Sequence, residues 1–512
     1  MADVGLQLGI VTGYLLVALG IGVLAYRVTE RTAEDYYLAG RSFGTVVLLC
    51  TVFATLLSAF TFFAGPNIAY RFGPEWILVM GLMDGVLFAV LWYVVGYRQW
   101  LLGKANGYVT LGEMLGDRFG SDRLRALVAG ISLAWLFPYV MLQQIGAGSA
   151  LAALTEGTVP FWGGAVLVTA FMIVYVVLAG MRGIAWTDTL QGAFMLVMVW
   201  AAFLWVLASV GGIGAATDGL GETVPEFLEL GGDFYTPQRM LTFAVSIAFG
   251  VAMFPQVNQR FFAAGSETVL KRSFVLWPVI VLLLFVPAFL LGAWARGLGI
   301  AAEVGAGDNV LPLLLSEYTP AWFAALVIAG AIAAMMSSSD SMLLSGASYF
   351  TRDVYRPLVD PDLSGDREDL LGRVGVAVFA VGALVASLLV GGSADVGVVG
   401  DVLVDVGDTA FGGFAQLAFP VIVALYWSRT TRAGMYVGIL ASQVAYVAGV
   451  LLPVVEVTVP LAGQVPLGLP ETYLGWGISL YCMLLGLVLT VGVSVVTASA
   501  PSEDRAAYGL AD

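Results

Sequence analysis

Apolar stretches of about twenty or more residues recur along the whole chain, and about 20 residues are what a helix needs to cross a bilayer. Only short polar segments separate them. The composition leaves no second option for such a pattern. Of the 512 residues, 60% are hydrophobic and 11% charged, too little charge to solvate the outer faces of this many helices in water. In lipid every backbone amide and carbonyl needs an internal partner, so the runs are helices. The reading is an all-α polytopic membrane protein.

The hydropathy pattern predicts thirteen spans, at 5–26, 44–70, 75–101, 124–153, 159–180, 186–212, 239–263, 273–297, 319–347, 374–392, 406–427, 433–454 and 474–498. With that count, nineteen of the 22 lysines and arginines fall on one side and three (Arg71, Arg239, Arg296) on the other. Basic loops stay in the cytoplasm. The asymmetry places the N-terminus outside and the C-terminus inside. The first run has no basic n-region before it and no small-residue cleavage site, so it reads as a retained span. The segment 213–238 reads as the longest outer loop, and 351–372 as a solvated inner linker. The segment 499–512 reads as a cytoplasmic tail, too short for a nucleotide-binding or regulatory domain. No GxxxxGK[ST] phosphate loop occurs.

A net charge of −14 speaks against nucleic-acid binding, and the absence of histidine removes the usual group that titrates near neutrality. Acidic loops poor in lysine fit a halophilic prokaryote. Cys50 and Cys482 lie in apolar runs and read as packing residues. No nucleophile–base constellation or metal-ligand cluster suggests an enzyme, and no feature demands an obligate protein partner.

Within this apolar chain, Ala331 to Ser341 places four serines and Asp340 in one span. Polar groups at membrane depth are costly and mark functional sites. Ala334 precedes Ser337 and Ser338 by three and four residues, and Ser341 follows Ser337 by four. One helix face can therefore present a carbonyl and several hydroxyls to a hard cation such as Na⁺. The alternative is serines bonded back to their own helix or easing close helix packing.

Two spans carry helix-breaking signals. In the second, Ser58 and Thr61 interrupt the apolar run and Gly65-Pro66 interrupts the ladder, freeing carbonyls near Ala54 to Ala59. The seventh has Gly250 and Pro255. The two run in opposite directions, five spans apart. Paired interrupted helices of opposite sense point to an inverted-repeat transporter with its site near the midplane.

The chain resembles the solute:sodium symporter family. The resemblance rests on Asp35-Tyr36-Tyr37-Leu38-Ala39-Gly40-Arg41-Ser42, the Ser58-to-Tyr70 stretch, Trp186-Thr187-Asp188-Thr189-Leu190-Gln191 and Gln259-Arg260-Phe261-Phe262-Ala263-Ala264. Its strongest element is Met336-Ser337-Ser338-Ser339-Asp340-Ser341, closed by Thr351-Arg352-Asp353-Val354-Tyr355. It implies a LeuT-like 5+5 inverted-repeat core. That core comprises a first repeat over 44–212 and an inverted second over 239–428. An extra helix at 5–26 precedes it and two more at 433–498 follow. The resemblance also implies Na⁺ as coupling ion, held by the backbone oxygens of Ala54, Leu57 and Ala334 and the hydroxyls of Ser337 and Ser338. Asp188 matches a position linked to sodium release; with Asp340 and Ser341 it makes either a second cation site or the release path. Asp340 could instead cap the helix or pair with a basic residue.

A small organic solute would sit beside the two breaks. Candidate contacts are Phe60, Thr61, Phe62, Asp84, Gln143, Gln144, Phe249, Met253 and Gln416, aromatic walls with a few polar groups. Amino acids, short carboxylates, pantothenate-like vitamins, sugars and polyols all fit, with an organic acid or amino acid preferred. The expected function is Na⁺-coupled uptake by alternating access in the plasma membrane. One rival couples to protons through Asp84, Asp188, Asp340 and Asp408. The other is a membrane solute sensor working with a separate signalling partner.

Overall fold

Ala-, Gly- and Ser-rich helices approach one another closely in a membrane, and the most Ala/Ser-rich helix of this chain becomes its centre. The computed structural model describes residues 2–27, 32–300, 309–391, 399–450, 456–459, 463–466 and 472–497. The spans are α1 (Val4–Tyr26), the bent pair α2 (Thr45–Leu56) and α3 (Phe60–Phe72), α4 (Ile77–Asn106), α5 (Asp122–Leu154), α6 (Phe161–Leu178) and α7 (Gly180–Val210). Next come the bent pair α8 (Pro237–Met253) and α9 (Pro255–Ala263), α10 (Glu267–Gly297), α11 (Ala321–Leu358), α12 (Gly365–Gly391), α13 (Leu403–Tyr426), α14 (Arg432–Val450) and α15 (Ile478–Val496). Counting each bent pair once gives thirteen candidate spans among the described residues, at the places the hydropathy pattern gave. The expected tail 499–512 lies outside the described residues.

Helix α11 sits in the middle. Of its apolar window 83% is buried, against 28% for α1, α12 and α15, so its serines face protein rather than lipid. It packs on α5, on α6 and α7, on α1 and on α12. Helix α3 lies along α10, α8 along α13, and α14 pairs with α15. The α6–α7 junction is a single tight turn at Gly180 (φ 56°, ψ −150°), where a Cβ would lie 2.5 Å from the Tyr36 ring. Both the left-handed φ and the contact require glycine there.

Two loop expectations change. Helix α11 runs on to Leu358, so 351–372 is not a solvated linker. Asp353 is fully buried and Glu368 nearly so. Arg352 binds Glu113 and Glu368 at 2.6 Å each, while Arg125 binds Glu113 at 3.0 Å and Asp353 at 2.9 Å. Alternating charges there reflect mutual pairing, which a one-dimensional reading takes for solvation. The outer segment 213–238 contains a helix, Ile213–Thr223, and its Phe234 stacks on Phe72 at 3.8 Å. Between α14 and α15 lie two short antiparallel strand pairs, Glu456–Val459 with Gly463–Pro466 and Thr472–Tyr473 with Trp476–Gly477, a small β addition to the helical fold.

Candidate functional site

The first bent pair turns through 65°. The chain leaves the helix at Leu57 (φ −77°, ψ 126°) and Ser58, not at Pro66. Pro66 has no amide to donate, and its turn widens instead: the Gly65 amide bonds to Phe60 O, five residues back. The groups exposed at the real break find partners on other helices. Gln143 Oε1 accepts the Ala59 amide at 2.8 Å, and Ser58 Oγ accepts the Phe60 amide at 3.2 Å. Ser58 also meets the Tyr139 hydroxyl at 3.2 Å. The second pair bends by 57° at Phe254 (ψ 130°), directly before Pro255, where the sequence placed it.

Helix α11 closes the first break. Ser337 Oγ lies 2.7 Å from Ala54 O and 2.9 Å from Ala334 O. Ser338 Oγ lies 2.8 Å from Thr55 O and 2.5 Å from Leu57 O. All five residues named from the sequence are buried and meet in one place. The donor set is three carbonyls and two hydroxyls, neutral hard oxygens that suit a monovalent alkali cation better than a transition metal. The bland alternative for the serines, bonding only to their own helix, fails here. Three of the four bonds cross to α2 or its break.

One turn further along α11 lies a second polar cluster. Asp188 Oδ2 accepts from Thr51 Oγ1 at 2.5 Å and from Arg260 Nη2 at 3.0 Å, with Thr55 Oγ1 at 3.5 Å. The same Arg260 nitrogen donates to Ser341 Oγ at 2.5 Å, and Ser341 meets Thr55 Oγ1 at 2.9 Å. Both ends of the Arg260–Asp188 pair are fully buried. Asp340 faces elsewhere; its Oδ2 accepts from the Tyr175 hydroxyl, and Oδ1 has no partner among the described residues. Asp340 thus meets a phenol, not a basic residue. Thr51, Thr55 and Arg260 escaped the sequence reading. Loop-charge counting assigned Arg260 to the basic end, although its position five residues after Pro255 puts it inside a span.

The solute candidates divide. Phe60 joins an aromatic group the sequence did not pick out, lying 5.4 Å from Phe411, which is 5.3 Å from Tyr139 and 5.6 Å from Phe254. Thr61, Phe62 and Met253 are buried at the two bends. Phe249 packs on Phe419 of α13 at 5.2 Å. Gln143 is engaged by the break itself. Gln144 turns away to Ala380 O at 3.0 Å, and Gln416 to Gly412 O and Ser479 O. Their neighbours on α12 and α15, invisible in local sequence, draw them off. Asp84 is buried on α4, and its Oδ1 has no partner among the described residues. Gln256, the residue after Pro255, is fully buried, and neither of its amide atoms has a partner among the described residues.

Two helices broken inside the membrane and facing a hydroxyl-rich central helix define a secondary transporter of the LeuT-like class. Among solved structures, a Na⁺-coupled sialic acid symporter in a substrate-bound outward-open state matches with a TM-score of 0.78 at 20% identity, over 97% of this chain and 99% of that one. The likeness establishes the fold. A family model described as the sodium:solute symporter family matches residues 36–442. The chain belongs to that family, and Na⁺ is its coupling ion. The sodium/pantothenate symporter of Escherichia coli is 28% identical over 438 residues, covering 85% of this chain and 88% of that relative. The monocarboxylate transport permease protein of Rhizobium johnstonii is 27% identical over 379 residues, 72% of this chain and 74% of its own length. The protein is a multi-pass membrane transporter, not an enzyme.

Proposed function

We propose that this protein drives uptake of a small organic acid or amino acid with Na⁺, bound among Ala54, Leu57, Ala334, Ser337 and Ser338. The observation that carries the reading is the convergence of two hydroxyls on three carbonyls across a broken helix. A cation there ties α2 to α11 and replaces the serine protons as the group the carbonyls face. The basic end of the bundle faces the cytoplasm. Asp188 and Ser341 lie one turn nearer that end and line the path by which Na⁺ leaves.

The solute sits beside the two breaks, walled by Phe60, Tyr139, Phe254 and Phe411. An acidic solute is favoured by the names of two relatives, a pantothenate symporter and a monocarboxylate permease. Arg260, a buried cation five residues after Pro255, already serves Asp188. The solute carboxylate is therefore received by the Gln256 side chain, whose amide atoms have no partner among the described residues. If Na⁺ and solute together favour closure more than either alone, their fluxes are coupled. One Na⁺ moving inward gains roughly 2.3 kcal/mol per 100 mV. A tenfold gradient adds about 1.4 kcal/mol.

The test has two stages. Thermal stability of the purified protein is measured against carboxylates, amino acids, sugars and polyols in Na⁺ and in choline; a carboxylate or amino acid that stabilises only with Na⁺ is expected. Uptake of that solute into liposomes is then driven by a Na⁺ jump. Uptake that proceeds equally in choline ends the proposal.

A further inference from the structure

The two acids that flank the hydroxyl cluster differ in one respect that bears on stoichiometry. Asp340 has no cationic partner among the described ion pairs, whereas Asp188 has one built in. The Arg260 guanidinium is tethered from above by Nη1 to Gln256 O at 3.0 Å and from the side by Nε to Thr51 Oγ1 at 3.0 Å. Its remaining nitrogen, Nη2, bridges Asp188 Oδ2 and Ser341 Oγ. Those are two of the oxygens that a second Na⁺ in this region would need. Thr51 and Thr55 complete the shell around them.

We propose that Arg260 is the resident cation of the Asp188–Ser341 site, so that the transporter binds one Na⁺, at Ser337 and Ser338, and none at Asp188. The inference rests on the first-site reading above. The physical argument is one of charge. A fully buried carboxylate needs a counter-ion, and a guanidinium satisfies it with directional bonds that a free ion would have to displace. Two cations on one buried carboxylate repel strongly where the dielectric is low. The tether also gives Arg260 a positioning role. Its anchor at Gln256 O lies in the first turn after the bend at Phe254, so the pair ties the second broken helix to α7. Lysine would keep the charge but lose the three-way fork.

Bound ²²Na⁺ is counted per chain on the purified full-length protein, with no solute added. Wild type and Arg260→Lys are expected to hold one ion, Arg260→Gln two, and the double variant Arg260→Gln/Asp188→Asn one. Two ions on the wild type, or one on well-folded Arg260→Gln, overturns the proposal. Ser337→Ala/Ser338→Ala in the wild-type background tests the first site separately: an unchanged count there refutes that reading and leaves the Arg260 result legible. Should Arg260→Gln fold poorly, its melting temperature gives a second measure. High Na⁺, but not high choline, is expected to restore it by refilling the vacated site, to an extent that Asp188→Asn abolishes. Equal melting in the two salts also overturns the proposal.

Discussion

Ser338 Oγ donates to the carbonyl of Leu57 at 2.5 Å, joining residues 281 positions apart in the chain. Leu57 is the residue at which α2 stops being helical, so a side chain of the central helix satisfies the very carbonyl that the break exposes. Ser337 does the same for Ala54. Replacing both serines with alanine is expected to weaken the apparent Na⁺ affinity of uptake at least about tenfold, or about 1.4 kcal/mol. The cost to folding is smaller, since buried hydrogen bonds in membranes average about 0.6 kcal/mol each. Sodium titrations of uptake beside melting curves check both halves; wild-type sodium affinity in the double variant removes these residues from the ion's shell.

Gln143 holds the amide of Ala59. Gln143→Leu leaves that amide buried and unpartnered, at a cost of about 1–3 kcal/mol. Gln143→Glu keeps an acceptor at the same place. The leucine variant is therefore expected to melt several degrees lower and transport poorly, with the glutamate variant recovering most of the stability. Equal melting of the two variants would show that the break does not depend on this bond.

Gly250, one turn before the second bend, lies against α13 so closely that a Cβ would stand 2.2 Å from Phe411 O. That atom belongs to backbone and cannot rotate away. Gly250→Ala is expected to destabilise by about 1–3 kcal/mol through overpacking, and to slow uptake by forcing α8 away from Phe411. A melting temperature within a degree of wild type contradicts the close approach.

The ion-pair network at the basic end carries a pH signature. Burial pushes the Glu113 carboxyl up, but Arg352, Arg125 and the Val109 amide together outweigh it and hold it below its ordinary value. A carboxylate lowered on folding contributes stability that is complete above its unfolded value, about 4.3, and lost as pH falls through the folded one. Glu113→Gln is accordingly expected to lower the melting temperature at pH 7, by a margin that shrinks as the pH is taken towards 3.5. A margin that stays constant over that range rejects the electrostatic account.

The proton-coupled rival makes a contrary forecast. With an imposed pH gradient, inside alkaline, in Na⁺-free choline medium, liposomes are expected to show no accumulation of a solute that Na⁺ does drive in. Accumulation under those conditions would transfer the coupling to an acidic side chain.

The first broken helix shows where local reading stops. Apolar runs long enough to span a bilayer identify themselves, because hydropathy sums along the chain without reference to neighbours; thus Thr45–Leu56 with its broken continuation, and the Ser-rich α11, stood out at once. The Ala54, Leu57, Ala334, Ser337 and Ser338 set is legible in the sequence because family motifs preserve residue order, and the fold brings all five together. The sequence attributes the interrupted ladder to Gly65-Pro66 and the freed carbonyls to Ala54–Ala59, whereas the helix itself stops at Leu57–Ser58. Proline reports only its own missing donor, whereas the actual break is fixed by bonds from Gln143, Ser337 and Ser338 on other helices.

By itself the sequence determined that this chain is a bundle of membrane helices, two of them interrupted, around one helix rich in hydroxyls. It also determined on which side its positive charge collects. Tertiary structure alone decided that Arg260 is buried against Asp188, that Asp340 meets Tyr175, and that Gln144 and Gln416 turn from the breaks. The reason is that a side chain's partner depends on which face of a distant helix arrives beside it. That is settled by the packing of the whole bundle, and no window along the chain contains it.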